Sequence, residues 1–382
     1  MTVVAGRPSI PPARYADRLR RAGEVAGESG FDALLVGVGP DLRYLTGYVA
    51  VPLERLTMLV LAPGRRPAIV VPRLERSAAE AGVRGDVDID TWEETDDPYA
   101  VVARHVPPAA RRIAVSDRLW SSHLLRLQAT LSGARFEPAS TVLSVLRMRK
   151  DPDEIELLRI AAHAADRVVG QIAAGRLVGR TEAEVAREVR DRLIAEGHDE
   201  ATFAIVASGP NSASPHHEAS ERVIEAGEPV VLDIGGTVGG YSSDITRTLW
   251  VTGGKPEGGP DAEFSRLYAV LHDAQSEATA AARPGVATER VDAVARGIID
   301  AGGFGPHFIH RTGHGIGLDG HEEPYLVAGS RETLEARMAF SIEPGIYLEG
   351  RYGARIEDIV VADESGPDVL NQASRDLLVV DG

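Results

Sequence analysis

The sequence predicts an α/β (α+β) protein of two domains, the second of which contains an internal duplication. In the first third of the chain, short apolar runs alternate with amphipathic helical patterns. After residue 150, a pattern of helix, helix and hairpin occurs twice, at an offset of about 110 residues. We therefore expect a loose tail over 1–12, an α/β domain over 13–145 and a pseudo-symmetric domain over 150–382.

Hydrophobic periodicity and turn residues predict five elements in the N-terminal domain. They are a helix near Arg14–Ser29, a strand at Ala33–Val38, a hairpin over Leu56–Val71 across Pro63 and Gly64, a strand at Arg112–Val115 and a helix near Ser121–Leu131. No constellation of chemically reactive residues occurs among them. We expect the function to reside in the second domain.

Capping boxes mark two helix starts in the second domain. Asp151, followed by Pro152 and Glu154, predicts a helix that ends near Ala174. Thr181, followed by Glu184, predicts a second helix that ends near Glu196. The remaining predicted elements are a hairpin centred near Val238 and Gly239, helices over Ala262–Ala282 and from Thr288, and a hairpin around Gly350.

Composition limits the functional class. The net charge is −16, and residues 151–382 hold 40 Asp and Glu against 20 Lys and Arg, which disfavours nucleic acid as a partner. The chain has no cysteine and no apolar run long enough for a membrane span, and its start lacks the order of a signal peptide. A cytoplasmic protein is expected. The motifs of serine hydrolases, NTPases and dinucleotide-binding proteins are absent from the sequence.

Four carboxylates and one histidine lie in segments that otherwise look like apolar strand or tight turn. They are Asp233 in PVVLDIGG, Asp244 in YSSDITRT, His314 in TGHGIGLDG, Glu343 in FSIEPGIY and Glu357 in ARIEDIVV. Burial of four neighbouring carboxylates is prohibitively costly unless cations neutralise them. This pattern predicts a metal centre.

The two predicted hairpins would bring these residues together. The first would set Asp233 opposite Asp244, the second would do the same for Glu343 and Glu357, and a flexible Gly-His-Gly turn would let His314 reach the same point. An oxygen-rich set with one imidazole suits Mn, Co or Fe(II). Five ligands are too many for one catalytic ion, whereas two ions about 3.5 to 4 Å apart would use them all.

The five motifs, in this order, resemble metallopeptidase family M24, the pita-bread enzymes that include methionine aminopeptidase, aminopeptidase P and Xaa-Pro dipeptidase (prolidase). The similarity spans roughly residues 145–380, and PDLRYLTGY resembles the N-terminal domain of creatinase and prolidase relatives. The resemblance implies a creatinase-like N-terminal domain before a pita-bread catalytic domain, and a homodimer. It also implies two divalent ions per chain, with Mn favoured over Co, Fe or Zn, and a small peptide substrate with proline in second position.

The resemblance also assigns roles to individual residues. His216, His310 and His321 match active-site histidines that donate protons or bind the scissile carbonyl, and Glu343 would also shuttle the proton of the attacking water. His217 matches no such position and is expected to be solvated. Arg355 matches an arginine that meets a substrate or ligand-supporting carboxylate in the aminopeptidase P branch. Tyr241 and Thr246 flank Asp244 in the sequence, and from that position alone they could hydrogen-bond metal-bound carboxylates or simply pack.

Two alternatives to an Xaa-Pro peptidase remain open from the sequence. One is another amide hydrolase on the same scaffold, such as ectoine hydrolase or a creatinase-like enzyme, and the other is a non-catalytic pita-bread binding protein. Among peptidases, the residue after HEEP indicates a preference. Prolidases often place there an arginine that binds the substrate carboxylate, whereas this chain has Tyr325. Unless another arginine fills that place, aminopeptidase P activity is expected over strict dipeptidase activity.

Overall fold

The computed structural model describes residues 7–382, which form two compact units. One unit is Ile10–Arg147, and the other combines 7–9 with 148–382. Half of the tail expected over 1–12 lies outside the described residues, and the first helix already begins at Pro12. Within the described part of the chain, no helix is both long and apolar enough to cross a membrane.

The smaller unit is a six-stranded sheet flanked by helices. Its strands are in the order β4-β3-β2-β1-β5-β6, and the β2–β3 pair is the predicted antiparallel hairpin. The elements are α1 Pro12–Glu28, β1 Ala33–Gly37, α2 Pro40–Thr46, β2 Met58–Leu61, β3 Ala68–Pro72, α3 Arg76–Gly82, β4 Asp88–Trp92, α4 Pro98–His105, β5 Arg112–Val115, α5 Ser121–Thr130, β6 Arg135–Pro138 and α6 Ser140–Met148.

The larger unit begins with two helices and a sheet. Glu154 accepts a hydrogen bond from the Asp151 N–H at 2.7 Å, and Thr181 and Glu184 cap each other, so both predicted capping boxes are present. The sheet order is β18-β10-β8-β7, with β9 paired to β8. The elements are α7 Pro152–Ala173, α8 Glu182–Ala195, β7 Glu200–Ser208, β8 Glu228–Val238, β9 Tyr241–Ser242 and β10 Ile245–Val251.

The second half of this unit repeats the pattern, as predicted. Two helices precede a sheet of order β12-β11-β13-β16-β17 and the separate hairpin β14–β15. The elements are α9 Ala262–Ala281, α10 Thr288–Ala301, β11 Gly313–Gly315, β12 Glu322–Leu326, β13 Ala339–Ile342, β14 Gly345–Leu348, β15 Tyr352–Arg355, β16 Asp358–Val361, β17 Asp368–Val369 and β18 Leu378–Val380. The last strand returns to the first sheet, beside β10.

The two halves meet along one buried seam. The Glu357 N–H donates to the Thr246 carbonyl at 3.1 Å, and these residues form an isolated bridge between the sheets. Next to it, the fully buried Arg247 donates to Asp358 Oδ1 and to the Glu357 carbonyl, both at 2.6 Å. The seam therefore fixes one half of the candidate site against the other.

Candidate metal centre

The first sheet contributes Asp233 and Asp244, in a register that differs from the prediction. Gly239 and Gly240 form the turn with positive φ, but β8 pairs Asp233 with Thr246 rather than with Asp244. Asp244 lies in the interruption between β9 and β10. The predicted direct opposition of the two carboxylates was therefore wrong, although their ligand atoms still lie within 4.8 Å of each other.

The second half contributes His314, Glu343 and Glu357. His314 lies in the buried strand β11, not in the flexible turn that its flanking glycines suggested. Gly313 is required for close packing, since a Cβ atom there would lie 1.9 Å from the Ser341 carbonyl oxygen. The Ser341 hydroxyl accepts the His314 N–H and donates to Glu343 Oε1, both at 3.1 Å. These contacts give His314 a fixed position.

The five predicted ligands converge. Ligand atoms of Asp233, Asp244 and Glu357 lie within 4.8 Å of one another, as do those of His314, Glu343 and Glu357. The His314 Nε2 atom is 3.2 Å from Glu343 Oε1 and 3.9 Å from Asp244 Oδ2. A ring nitrogen of His321 also lies within 4.8 Å of ligand atoms of Asp244 and His314.

The electrostatics of the cluster indicate that cations belong there. Burial, followed by repulsion from neighbouring carboxylates, raises the pKa of Asp244 and of Glu357 well above their usual values. Asp233 Oδ1 and Glu357 Oε1 are buried and have no hydrogen-bond partner among residues 7–382. Two unpartnered oxygens in a cluster of like charges are what divalent ions would satisfy, so the residues present fit a metal centre.

Arg355 and Thr246 support the carboxylates from the seam. The Arg355 guanidinium donates to Asp233 Oδ2 at 2.5 Å, and its Nε donates to the Thr246 hydroxyl at 3.0 Å. Thr246 in turn donates to Glu357 Oε2 at 2.7 Å, which is the predicted kind of contact. Because both acceptors are candidate ligands, Arg355 and Thr246 orient the oxygens that face the ions.

Tyr241 does not act in the way the sequence suggested. Its hydroxyl donates to Glu154 Oε1 at 2.9 Å, so its single phenolic proton is used on the capping box of α7. Glu154 is not one of the candidate ligands. The contact instead fastens β9 to the first helix of this unit.

His310 is held by two partners. Its Nδ1 lies 2.7 Å from the Arg311 carbonyl and must donate there, and its Nε2 lies 2.9 Å from the Tyr347 hydroxyl. Arg355 donates to the same hydroxyl at 2.8 Å, which leaves the Tyr347 proton for His310. Burial lowers the pKa of His310, in keeping with a neutral ring. Both ring nitrogens of His310 thus have a protein partner in this arrangement, and its expected role at the oxyanion stays a prediction. Tyr347 was missed because it resembles an ordinary core residue of an apolar strand.

His321 contacts both His314 and Arg311. The His321 ring stacks on His314 with 3.7 Å between centroids, and its Nδ1 accepts from Arg311 Nη2 at 3.3 Å. Desolvation, then the neighbouring His314, lowers the pKa of His321 to about 4. The neutral ring therefore carries its proton on Nε2. The Arg311 guanidinium lies 4.4 Å from the centre of the Tyr325 ring, so Tyr325 supports Arg311 through a cation–π contact.

The loop between β7 and β8 carries two histidines with different surroundings. His216 is exposed to the cavity, and no hydrogen-bond partner for it occurs in the described part of the chain. His217, expected to be solvated, instead donates through Nε2 to Glu182 at 2.8 Å. Glu182 is fully buried at the start of α8. Sequence reasoning missed it because an acidic residue in a first helical turn is explained by the helix dipole alone.

Glu182 predicts a pH-dependent part of stability. Burial alone would raise the pKa of this carboxyl, but hydrogen bonds from its neighbours lower it to about 2. Because the pKa is lower in the folded protein than the value of 4.5 in the unfolded chain, the ionised carboxylate stabilises the fold above pH 4.5. This stabilisation, on the order of 3 kcal/mol, is lost as the pH falls towards 2. Metal-free Glu182→Gln should unfold at lower urea than wild type at pH 7. The difference in urea midpoint between the two proteins should become smaller between pH 5 and pH 3. A constant gap would contradict this.

These side chains enclose one cavity of about 390 Å³. Its lining includes the four carboxylates and His314, together with His216, His321 and Arg311. The geometry alone is that of a small-molecule site built on a metal centre.

Comparison with known proteins identifies the family. Residues 156–364 match the model of metallopeptidase family M24, and residues 18–149 match the creatinase/prolidase N-terminal domain. The chain belongs to metallopeptidase family M24. Its catalytic part therefore has the pita-bread fold, and the expected creatinase-like N-terminal domain is confirmed.

Relatives cover nearly the whole chain. A probable dipeptidase, PepE, of Mycobacterium tuberculosis is 45% identical, over 96% of this chain and 96% of the relative. The crystal structure of dipeptidase PepE from Mycobacterium ulcerans has a TM-score of 0.91 at 44% identity and covers 97% of this chain and 99% of that one. A prolidase structure from Thermococcus sibiricus has a TM-score of 0.89 at 36% identity, covering 97% and 100%. The resemblance predicted from the five motifs is confirmed.

Proposed function

We propose that this M24 metallopeptidase is a dinuclear Xaa-Pro dipeptidase. The observation that carries the metal chemistry is the convergence of four carboxylates and His314 within one cavity, with two buried oxygens that lack a partner among the described residues. The retained ligand set favours an enzyme over a binding protein or a metal-independent, creatinase-like hydrolase. Names of relatives, such as the Xaa-Pro dipeptidase of Pyrococcus furiosus at 31% identity, favour the proline-directed substrate.

The candidate ligands come from both halves of the larger unit. Two ions would be held by Asp233 and Asp244 from the first half and by His314, Glu343 and Glu357 from the second. Two divalent ions held there supply a water of lowered pKa and polarise the scissile carbonyl. Manganese suits the oxygen-rich set best, and cobalt, iron or zinc would fit it as well.

The protein's own side chains would manage the protons and the charge. Glu343, fixed by Ser341, accepts the proton of the attacking water. His216 is free to donate to the oxyanion or to the leaving proline nitrogen, and the neutral His321 presents its Nε2–H to the substrate. Through Tyr347, His310 also helps to hold Arg355 against Asp233.

Arg311 supports a dipeptidase over an aminopeptidase P. The expected preference for longer peptides assumed that no arginine replaces the one missing at Tyr325. Arg311 lines the cavity and stacks on Tyr325, so it is placed to bind the carboxylate that the missing arginine would have bound. The other cavity arginine, Arg355, is already paired with Asp233. Arg311 has no carboxylate within ion-pair distance among the residues described, so its guanidinium can take the free carboxylate of a dipeptide.

Arg311→Met tests this assignment. The substitution keeps an apolar stem but removes the charge, and loss of one charged hydrogen-bond pair is worth roughly 2 kcal/mol, or about 30-fold. We expect that fall in kcat/KM for Ala-Pro, mainly through KM, and little change for Ala-Pro amide, which lacks the carboxylate. Arg351→Met is the matched control, because Arg351 pairs with Glu263 outside the cavity.

Two outcomes would overturn the dipeptidase assignment. One is an equal loss on Ala-Pro and its amide in the Arg311 variant, which would make Arg311 structural. The other is a wild-type preference of more than about tenfold for Ala-Pro-Ala, roughly 1.4 kcal/mol of transition-state binding, which would restore aminopeptidase P activity. Neither would affect the metal chemistry.

A further inference from the structure

One buried carboxylate connects the His216 loop to helix α8. Glu182 Oε1 accepts from the N–H and the hydroxyl of Ser208, both at 2.8 Å, and from the Asn211 amide at 3.0 Å. Its Oε2 accepts from His217 at 2.8 Å, and from the N–H and the hydroxyl of Ser220 at 3.1 and 2.6 Å. Six donors from three places in one loop, and from the strand before it, thus end on a single side chain.

The donors bracket His216 on both sides. Asn211 precedes it, His217 follows it directly, and Ser220 lies at the far end of the same segment. His216 itself makes no side-chain hydrogen bond to any described residue, so nothing at its own ring fixes where it points. Its position in the cavity therefore depends on the backbone that Glu182 holds.

The charge on Glu182 is well suited to this task. The carboxylate is fully buried and ionised, and each of its two oxygens accepts at least three hydrogen bonds. A carboxylate accepts in all directions, whereas a glutamine of the same shape would turn an N–H₂ group towards two or three of the present donors. A neutral replacement would therefore loosen the loop without emptying the space.

We propose that Glu182 is a positioning residue that sets the catalytic geometry of His216 through the shared loop. This inference rests on the proposed function, because it requires His216 to act in peptide hydrolysis. Glu182 is outside the metal centre, and its hydrogen bonds within the described part of the chain go to none of the five candidate ligands. Its effect should therefore appear in kcat and not in metal content.

A double-mutant cycle separates positioning from mere stability. In the Mn-loaded enzyme with Ala-Pro, Glu182→Gln should lower kcat about tenfold, since a displacement near 1 Å costs up to about 10²-fold. His216→Ala should lower it more, and the double variant should match His216→Ala within about twofold, because a residue already removed cannot be misplaced. Bound metal should be the same in all four proteins.

A matched control lies on the same helix. Glu188 is also a carboxylate on α8, but its ion pairs within residues 7–382 are with Arg180 and Arg192, so Glu188→Gln should leave kcat unchanged. If Glu182→Gln folds poorly, Ser220→Ala removes one donor only and should give a smaller loss of kcat that again disappears in the His216→Ala background.

The outcomes are distinct. Full multiplication of the two single effects, or a loss of metal in Glu182→Gln, would overturn the positioning role. An unchanged kcat in Glu182→Gln, with a large fall in His216→Ala, would overturn it as well, while the proposed function stands. An unchanged kcat in His216→Ala would instead remove His216 from the proposed mechanism, and the positioning role with it.

Discussion

Asp244→Ala is expected to lower kcat on Ala-Pro by about 10³-fold or more, corresponding to roughly 4 kcal/mol, and to reduce the bound metal. Asp244 belongs to two of the three ligand groups in the cluster, one with His314 and one with Asp233 and Glu357. Its loss therefore affects both ions. Steady-state kinetics and elemental analysis on the same preparation measure the two effects together.

The fold should survive this substitution. Burial and the neighbouring carboxylates raise the pKa of Asp244, so its charge opposes folding when ions are absent. The metal-free variant should therefore melt at the same temperature as metal-free wild type, or higher. Asp368→Ala is a suitable control, since Asp368 is a half-exposed carboxylate paired with Arg159, and it should change neither activity nor metal. Full activity in Asp244→Ala would exclude it as a ligand.

His216→Ala is expected to lower kcat by about 10²-fold or more, with unchanged metal content. His216 lines the cavity but belongs to none of the groups that could hold an ion. Its contribution should therefore appear in the transition state alone. kcat and KM on Ala-Pro, with elemental analysis of the same sample, distinguish a proton donor from a ligand.

His272→Ala provides the comparison for His216. His272 lies on α9, is partly exposed and has its Nδ1 atom 3.9 Å from Asp273 Oδ1, away from the cavity lining, so its removal should leave kcat unaltered. Loss of metal in His216→Ala would make His216 a ligand. Kinetics equal to those of wild type would make it an inert loop histidine.

The convergence of the candidate ligands could be predicted from sequence because its signal is local. A carboxylate within an apolar strand, as at Asp233 or Glu357, is costly enough to require an explanation without any knowledge of the fold. The capping boxes at Asp151 and Thr181 are equally local, and the helices they open were predicted to within a residue or two. The duplication followed from the repeated order of these elements.

Errors arose where position depends on packing. The strand is interrupted between β9 and β10, so Asp244 is not paired with β8. No residue in this segment predicts the interruption. The glycines around His314 suggested a flexible turn. Position 313 instead requires glycine because the Ser341 backbone leaves no room for a side chain there. His217 was expected in solvent because its partner, Glu182, lies on another element, 35 residues earlier in the chain.

The supporting contacts of the site could not be read from sequence at all. Tyr347 on β14 joins His310 to Arg355 on β15, and Arg311, which lines the cavity, stacks on Tyr325. Asp292 on α10 is a further case, since it accepts from the N–H and hydroxyl of Thr312 and so steadies the strand that leads to His314. Each of these residues has an ordinary sequence context. Their importance comes from the partners that the fold supplies.

The most direct test of the metal centre is the number of ions that activity requires. Metal-free protein is titrated with Mn²⁺, and bound metal by elemental analysis is compared with turnover of Ala-Pro at each point. We expect activity to reach its maximum at two ions per chain. Full activity with one ion, or with none, would contradict the dinuclear centre formed by Asp233, Asp244, His314, Glu343 and Glu357.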